Sequence, residues 1–441
     1  MALSGIQIYK LLPQTNCKEC GFPTCLAFAM KLAAKQVELS ACPYVSEASK
    51  AQLAESAAPP IRLITLKSNG YEVKAGNEVV LYRHEKTFYN RPGLFVRISD
   101  QLLAEEISAL AADVEGYTTN YVGIDLTMDG IAVQAVSGDP AKFADAVKLV
   151  RKSSRRPMIL MSDNPSVIAA GLKELSGDAA MIYSATSANW EVMAELAGTH
   201  KAALAVSSGS LEELADLTEK IKAKGVEDLV LDPVGENLGS SLVLSTQIRR
   251  LALKKNFRSL GYPVVSFPKN PEAAAQAIAK YSGFVVIDHF TAELAYPLLV
   301  LRQNIYTDPQ KPIQVQPGIY EINSPKPDSP VLVTTNFSIT YFSVANEVEG
   351  SGLPAWLVVC DAEGMSVLTA WAAGKFDAER IAKSIKGFNV AEKVSRKRVV
   401  IPGHVAVLSG ELEAELPDWE IRVGPREALD LPKYMKEALG N

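Results

Sequence analysis

Four of the five cysteines, Cys17, Cys20, Cys25 and Cys42, fall within the first 42 residues, while Cys360 stands alone. Cysteines scattered through hydrophobic cores do not gather in this way. Their spacing is C-x2-C-x4-C-x16-C, with Pro43 directly after the last. A [4Fe–4S] cluster needs four converging thiolates, and close spacing lets one loop supply three of them. Gly21 and Pro23 favour a tight turn between the second and third ligands. A helix beginning near Cys25 would turn its positive end and free N–H groups toward an anionic cluster. Four-cysteine zinc is the rival, but zinc sites of that kind usually carry two matched C-x2-C pairs. The single x2 pair and the Cys-Pro ending favour iron–sulfur. Cys360 lies in AWLVVCD, the pattern of a buried strand, and reads as a core residue.

The rest of the chain must say what such a cluster serves. At 441 residues it is long enough for about three domains at roughly 150 residues each. Hydrophobic residues make up 48% and charged residues 22%, which supports ordinary globular cores. A net charge of −5 argues against a nucleic-acid or anionic-membrane binder. No apolar stretch approaches the roughly 18 residues of a membrane span. The N-terminal residues lack the basic-then-apolar order of a secretory signal, so a soluble cytoplasmic protein is expected.

Three parts are expected, in an α/β protein. Residues 1–58 form the cluster domain, with helices at Gly5–Leu12 and Leu26–Val37. Residues 59–92 read as a linker, opening on the paired prolines of AESAAPP and containing short alternating strands that form a hairpin-like bridge. Residues 93–325 alternate apolar runs with helical stretches. Strands are expected at Leu94–Ile98, Tyr121–Leu126, Met158–Met161, Ala180–Tyr183, Ala203–Val206, Asp228–Leu231, Pro263–Phe267 and Phe284–Asp288. Such a series of βα units points to a (β/α)8 TIM barrel, with an open doubly wound sheet as competitor. Residues 326–441 read as a separate α/β unit, with strands at Val331–Thr334, Ala355–Asp361, Arg398–Ile401 and Glu420–Val423 and a last helix at Leu431–Leu439.

Outside the cysteines the chemistry is sparse. The barrel has no phosphate-binding glycine signature, and the four histidines, at 84, 200, 289 and 404, form no metal-ligand pair. Asp288–His289 sits at a strand end, where a structural role is the commoner one. The C-terminal unit is richer. Thr334, Thr335, Ser338 and Thr340 crowd TTNFSITYF; Ala370, Ala372, Ala373 and Gly374 leave room in LTAWAAGKF; and Gly403–His404 and Gly424–Pro425 follow two strands. Ligands of open α/β sheets bind beyond the carboxyl ends of the strands. A large, amide-fringed ligand and ordinary turn chemistry account for these residues about equally well.

CKECGFPTC…CPY, the barrel pattern, TNFSITYF, LTAWAAGKF and IPGHVAVLSGELE together resemble the large (gamma) subunits of corrinoid iron–sulfur proteins, proteins of the reductive acetyl-CoA pathway. The resemblance spans essentially the whole chain. It implies a small N-terminal [4Fe–4S] domain, a central TIM barrel and a C-terminal Rossmann-like domain that binds a cobamide. It further implies a heterodimer with a small barrel-shaped subunit. In that family cobalt(I) accepts a methyl group from methyltetrahydrofolate on a methyltransferase and delivers it to acetyl-CoA synthase. A low-potential cluster, fed by an electron donor, returns cobalt(II) to work; such clusters reach about −700 mV. By this resemblance, and by the hydroxyl- and alanine-rich character of the segments, corrinoid contacts are expected from Thr340, Asn346, Ala370, Trp371, Ala372, Ala373 and Tyr434. Visits to two partners imply hinges, expected at Pro59–Pro60 and at 325–330. Many corrinoid carriers use a D-x-H-x-x-G loop whose histidine ligates cobalt. That motif is absent here, so a base-off corrinoid without a histidine ligand is expected. The competing function is an iron–sulfur barrel oxidoreductase with a flavin- or nucleotide-binding C-terminal domain.

Overall fold

The computed structural model describes residues 5–33, 36–47, 49–50, 53, 59–175, 177–308 and 313–439. The chain divides into two compact units, one running to Thr118 and resuming over Thr127–Tyr306, the other formed by Thr119–Leu126 and the residues from Thr307 onward. Among the described residues no helix is long and apolar enough to cross a membrane.

At the start of the first unit, the helices Gly5–Leu11 and Cys25–Ala33 pack on one another. Ile8, Leu12, Phe28, Ala29, Val45 and Leu53 form a small core that also buries Cys25 and Cys42. The helix expected at Leu26–Val37 is present as far as Ala33; residues 34–35 lie outside the described residues.

Residues 59–92 are not a linker. Strands β1 (Ile64–Ser68) and β2 (Tyr71–Ala75) form an antiparallel hairpin. Its inward residues Ile64, Leu66, Val73 and Ala75 join the interior cluster of the barrel, beside Phe95 and Phe284. The hairpin plugs the end at which the barrel strands begin. There a Cβ on Gly93 would come within 2.7 Å of Val73, and one on Gly283 within 2.8 Å of Ala75. Only glycine admits so close an approach without something shifting. Pro59 and Pro60 are docked as well. The Pro59 carbonyl accepts from Arg258, and Arg62 bonds through its N–H to Gly261 and through its guanidinium to Glu227 and Asp228. A hinge at those prolines would break these bonds; the residues just before them, 54–58, lie outside the described residues.

Eight parallel strands close the barrel in the order β10-β11-β12-β3-β6-β7-β8-β9. In chain order they are β3 (Gly93–Ser99), β6 (Gly130–Gln134), β7 (Met158–Met161), β8 (Met181–Ala185), β9 (Ala203–Ser208), β10 (Leu229–Pro233), β11 (Val264–Ser266) and β12 (Ser282–Ile287). Their residues are nearly all buried, as expected of strands covered by helices on one face and filled by side chains on the other. The helices start where the sequence offers caps. Asp139, Ser210 and Asn270 each accept a backbone N–H from the first turn that follows.

The expected strand Tyr121–Leu126 is a correction. Val122 and Gly123 both have positive φ, and Asn120 accepts the Gly123 N–H at 3.0 Å, so the chain reverses there. The result is a hairpin, β4 (Thr118–Tyr121) and β5 (Ile124–Thr127), and the second barrel strand is β6 instead. The hairpin tip belongs to the second unit, where Val122 is part of the core and its carbonyl accepts from Gln316.

The largest fully buried side chain of the barrel unit is charged. Arg302, 1% exposed, pairs with Asp129 and donates to the carbonyls of Pro92 and Thr127. Asp129 also accepts the Leu94 N–H at 2.8 Å, at the start of the barrel sheet. Replacing Arg302 by methionine strands the carboxylate in the interior. The expected cost is about 3–5 kcal/mol, measurable by chemical denaturation; a loss below about 1 kcal/mol would mean that water reaches Asp129.

The second unit is built on the sheet β13-β15-β14-β16-β17: β13 (Gly318–Ile322), β14 (Val331–Thr335), β15 (Ala355–Cys360), β16 (Arg398–Ile401) and β17 (Glu420–Val423). The last four are parallel, and β13 runs antiparallel along β15. The expected boundary at 325/326 therefore moves to 306/307, because β13 pairs with this sheet. The stretch 325–330 is not a hinge either. The Lys326 carbonyl accepts the Trp356 indole N–H, and that of Pro327 accepts the Ser395 N–H. Side chains alternate between two cores, Val331 and Val333 on one face and Leu332 on the other. Since β15 and β16 flank β14 on opposite sides, the strand order reverses at β14, the place where doubly wound sheets hold their ligands.

Candidate functional site

The four N-terminal thiols come from two turns and one helix. Cys17 precedes, and Cys20 lies within, a turn closed by the Gly21 N–H to the Lys18 carbonyl at 2.9 Å, with both Lys18 and Gly21 at positive φ. Cys25 is the first residue of its helix, as the spacing implied, and its N–H bonds to Asn16 Oδ1 at 2.8 Å. Thr24 Oγ1 takes the Ala27 N–H. Cys42 follows a short 3-10 turn, Leu39–Ala41. Cys25 and Cys42 are buried in the small core and Cys20 packs against it, whereas Cys17 is exposed. Tyr44 lies between them electrostatically. Its phenol is raised by the bond to Glu19 first, and the nearby Cys17 and Cys42 push in the same direction.

None of the five cysteines is in a disulfide. Among the described residues, no three His, Cys, Asp or Glu side chains already converge on a metal position. Four free thiols on one small, locally folded segment are nevertheless the donor set that a four-thiolate iron–sulfur cluster takes, and no histidine lies among them. Cys360 is 1% exposed and burial pushes its thiol up to about 12, which makes it an inert core residue, as expected.

The second candidate site opens at the carboxyl ends of β14, β16 and β17, as a cavity of about 670 Å³. Leu332 and Val400 contribute its apolar base, and the helix Ser338–Ser351 contributes Thr340, Ser343 and Asn346. His404 and Gly424–Pro425 come from the turns after β16 and β17. At its inner edge Thr334 is fully buried, and its hydroxyl has no hydrogen-bond partner among the described residues. An orphaned buried hydroxyl is costly, by about 1–3 kcal/mol, unless a ligand or water satisfies it.

The expected contact residues divide. Thr340 and Asn346 line the cavity together. Trp371, Ala372 and Ala373 lie exposed at the end of the short helix Val367–Ala372, whose opening residues Ser366–Leu368 also line it. Ala370 is fully buried in the core with Val367 and Phe376, on the inner face of that helix, and does not line the cavity. Tyr434 is half-buried against the core on the Leu332 face and does not line the cavity.

Asn336 is a residue that sequence reasoning missed. It is 1% exposed, accepts the N–H groups of Ala362 and Gly364 at 2.9 Å each, and donates to Asp361. It thereby pins the loop after β15 to the end of β14. An asparagine directly after a strand of hydroxyls was the available signal.

Comparison with known proteins decides the family. A family model described as CO dehydrogenase/acetyl-CoA synthase delta subunit matches residues 63–435, and an Fe-S cluster family model matches residues 12–44. The corrinoid/iron-sulfur protein large subunit of Moorella thermoacetica is 44% identical, with all of both chains covered. The chain belongs to this family. The acetyl-CoA decarbonylase/synthase complex subunit gamma of Archaeoglobus fulgidus is 35% identical over 96% of each chain, and that of Methanopyrus kandleri 34% identical over 99% of this chain and 98% of its own. The delta-named model covers the hairpin, barrel and C-terminal sheet without the four N-terminal cysteines. The large-subunit relatives span the cysteine segment as well, and they set the subunit type. A dihydropteroate synthase structure from Xanthomonas albilineans is similar at 12% identity and a TM-score of 0.37, over 55% of this chain and 98% of that chain.

Proposed function

We propose that this corrinoid/iron–sulfur family member is a methyl carrier holding one [4Fe–4S] cluster on Cys17, Cys20, Cys25 and Cys42 and one cobamide on its second unit. The observation that carries the reading is the cavity at the switch point of the C-terminal sheet, in the same chain as four clustered thiols. The bound corrinoid supplies the metal nucleophile that carries the methyl group, and the cluster supplies its restoring electron. The protein's part is orientation and access. A cavity of this size would suit the nucleotide tail of a cobamide, and the exposed Ala372 and Ala373 would take the corrin ring. Thr340 and Asn346 offer hydrogen-bonding groups to the polar tail, Leu332 and Val400 an apolar floor, and Thr334 a hydroxyl in need of a partner. The partners in this reading are a small subunit in a heterodimer, a methyltetrahydrofolate methyltransferase, acetyl-CoA synthase and a low-potential electron donor, all in the cytoplasm of an anaerobe.

A corrinoid whose tail were held in this cavity would be base-off. His404 lines the same cavity, its Nε2 3.8 Å from Glu427 Oε1, outside any D-x-H-x-x-G motif. A nitrogen donor would favour cobalt(II) over four-coordinate cobalt(I), so its absence helps reduction. The cobalt(II) form should show no superhyperfine splitting from an axial nitrogen in electron paramagnetic resonance. Splitting by one nitrogen would overturn the reading of a cobalt without a nitrogen ligand; its disappearance in His404→Ala would name His404, and its persistence would point to the cofactor's own base.

A further inference from the structure

The barrel has a site of its own, in a different unit from the corrinoid cavity. Around the C-terminal ends of β8 and β10 lies a cavity of about 720 Å³, within the range of small-molecule pockets and on the face where barrels keep their active sites. The most buried of its charged residues is Asp232, at the end of β10 and 7% exposed. One carboxylate oxygen, Oδ2, accepts both the Tyr183 and the Ser207 hydroxyls at 2.8 Å. Oδ1 receives no hydrogen bond among the described residues, and Asp232 lines the cavity. A carboxylate has about four acceptor positions, so the two left over belong to Oδ1. Burial holds the Asp232 carboxyl above its ordinary range. Carboxylates are rarely kept so deep without a task.

The surroundings select the ligand. Arg97, Lys269 and Lys280 balance Asp232, Glu236 and Glu272 around the cavity, and Arg97 is already paired with Asp288. Neither a strong anion nor a strong cation is favoured. Tyr183 and Phe267 place their rings 4.6 Å apart beside the carboxylate, a wall suited to a flat ring. Gln134, at the end of β6, and the guanidinium of Arg97 offer donors to a carbonyl.

We infer that the barrel mouth binds a neutral fused heterocycle with a 2-amino-4-oxopyrimidine edge, whose adjacent N–H groups fill the two open positions of Asp232 Oδ1. A pteridine and a purine share that edge. The corrinoid reading is not needed for this site, and its failure would leave the site standing.

Titration calorimetry of the full chain with 2-amino-4-oxopteridine and, separately, with guanosine tests it. At least one should bind saturably with Kd below about 1 mM; which one does so names the pteridine or the purine as source. The analogues without the amino group, 2,4-dioxopteridine and inosine, should bind at least about tenfold more weakly, and Asp232→Asn should weaken the amino form by a similar factor. Should Asp232→Asn fail to fold, the amino/deamino comparison on the unaltered chain still decides. No saturable binding of either ring up to about 1 mM, or equal binding of the deaminated analogues, would overturn the proposal.

Discussion

Alanine in place of any one of Cys17, Cys20, Cys25 or Cys42 should remove most of the iron from the anaerobically purified protein and leave its cobalt in place. A cubane cluster with three thiolates keeps an open iron site, exposed to water and oxidation. Cys17 is exposed, so its loss perturbs nothing but the ligand set. Cys25 and Cys42 also pack in the small core of the N-terminal segment, so their replacement loosens the local fold as well. Cobalt should be spared because no residue of that small core belongs to the clusters on the two faces of the C-terminal sheet. Cys360→Ala should leave iron unchanged, a control that also removes a buried thiol. Iron measured by metal analysis, with the cluster absorbance alongside, reads the result. Full iron in two of the four variants would sink the ligand assignment.

A chain lacking residues 1–58 should still transfer a methyl group after chemical reduction of its cobalt, yet a protein electron donor should no longer reactivate it. The cut is physically sensible. It falls before Pro59, whose carbonyl is bound by Arg258, and before Arg62, which is tied to Glu227 and Asp228. The hairpin that plugs the barrel begins only at Ile64, so the barrel interior loses nothing. Stopped-flow reduction by the protein donor gives the comparison. Equal reactivation rates with and without the segment would show that the cluster serves some other purpose.

What could be read from the sequence was what is local. Metal ligands from one short segment announce themselves by spacing, and Cys25 starts its helix where the spacing implied. Met158–Met161 stands where a short apolar run between helices places it, because a strand covered on both faces has no polar residue to blur its ends. What was missed depends on partners remote in sequence. Ile64, Leu66, Val73 and Ala75 look like a modest alternation until the barrel interior receives them. The segment of β13 is largely half-exposed, and only its pairing with β15, past β14, makes it a strand. Tyr121–Leu126 reads as one strand because a Val-Gly turn interrupts the alternation without a polar residue. In LTAWAAGKF the row of alanines signalled room, but the sequence did not say that Ala370 faces the core while Ala372 and Ala373 face outward. Asp232, just past the expected strand Asp228–Leu231, carries no signal of its own, since Tyr183 and Ser207 come from other βα units.

The central claim is that one chain joins an iron–sulfur cluster to a cobamide. Cobalt and iron determination on the anaerobically purified full-length protein tests it most directly. About one cobalt and about four irons per chain are expected; iron without cobalt, with a yellow flavin-like chromophore in its place, would contradict it.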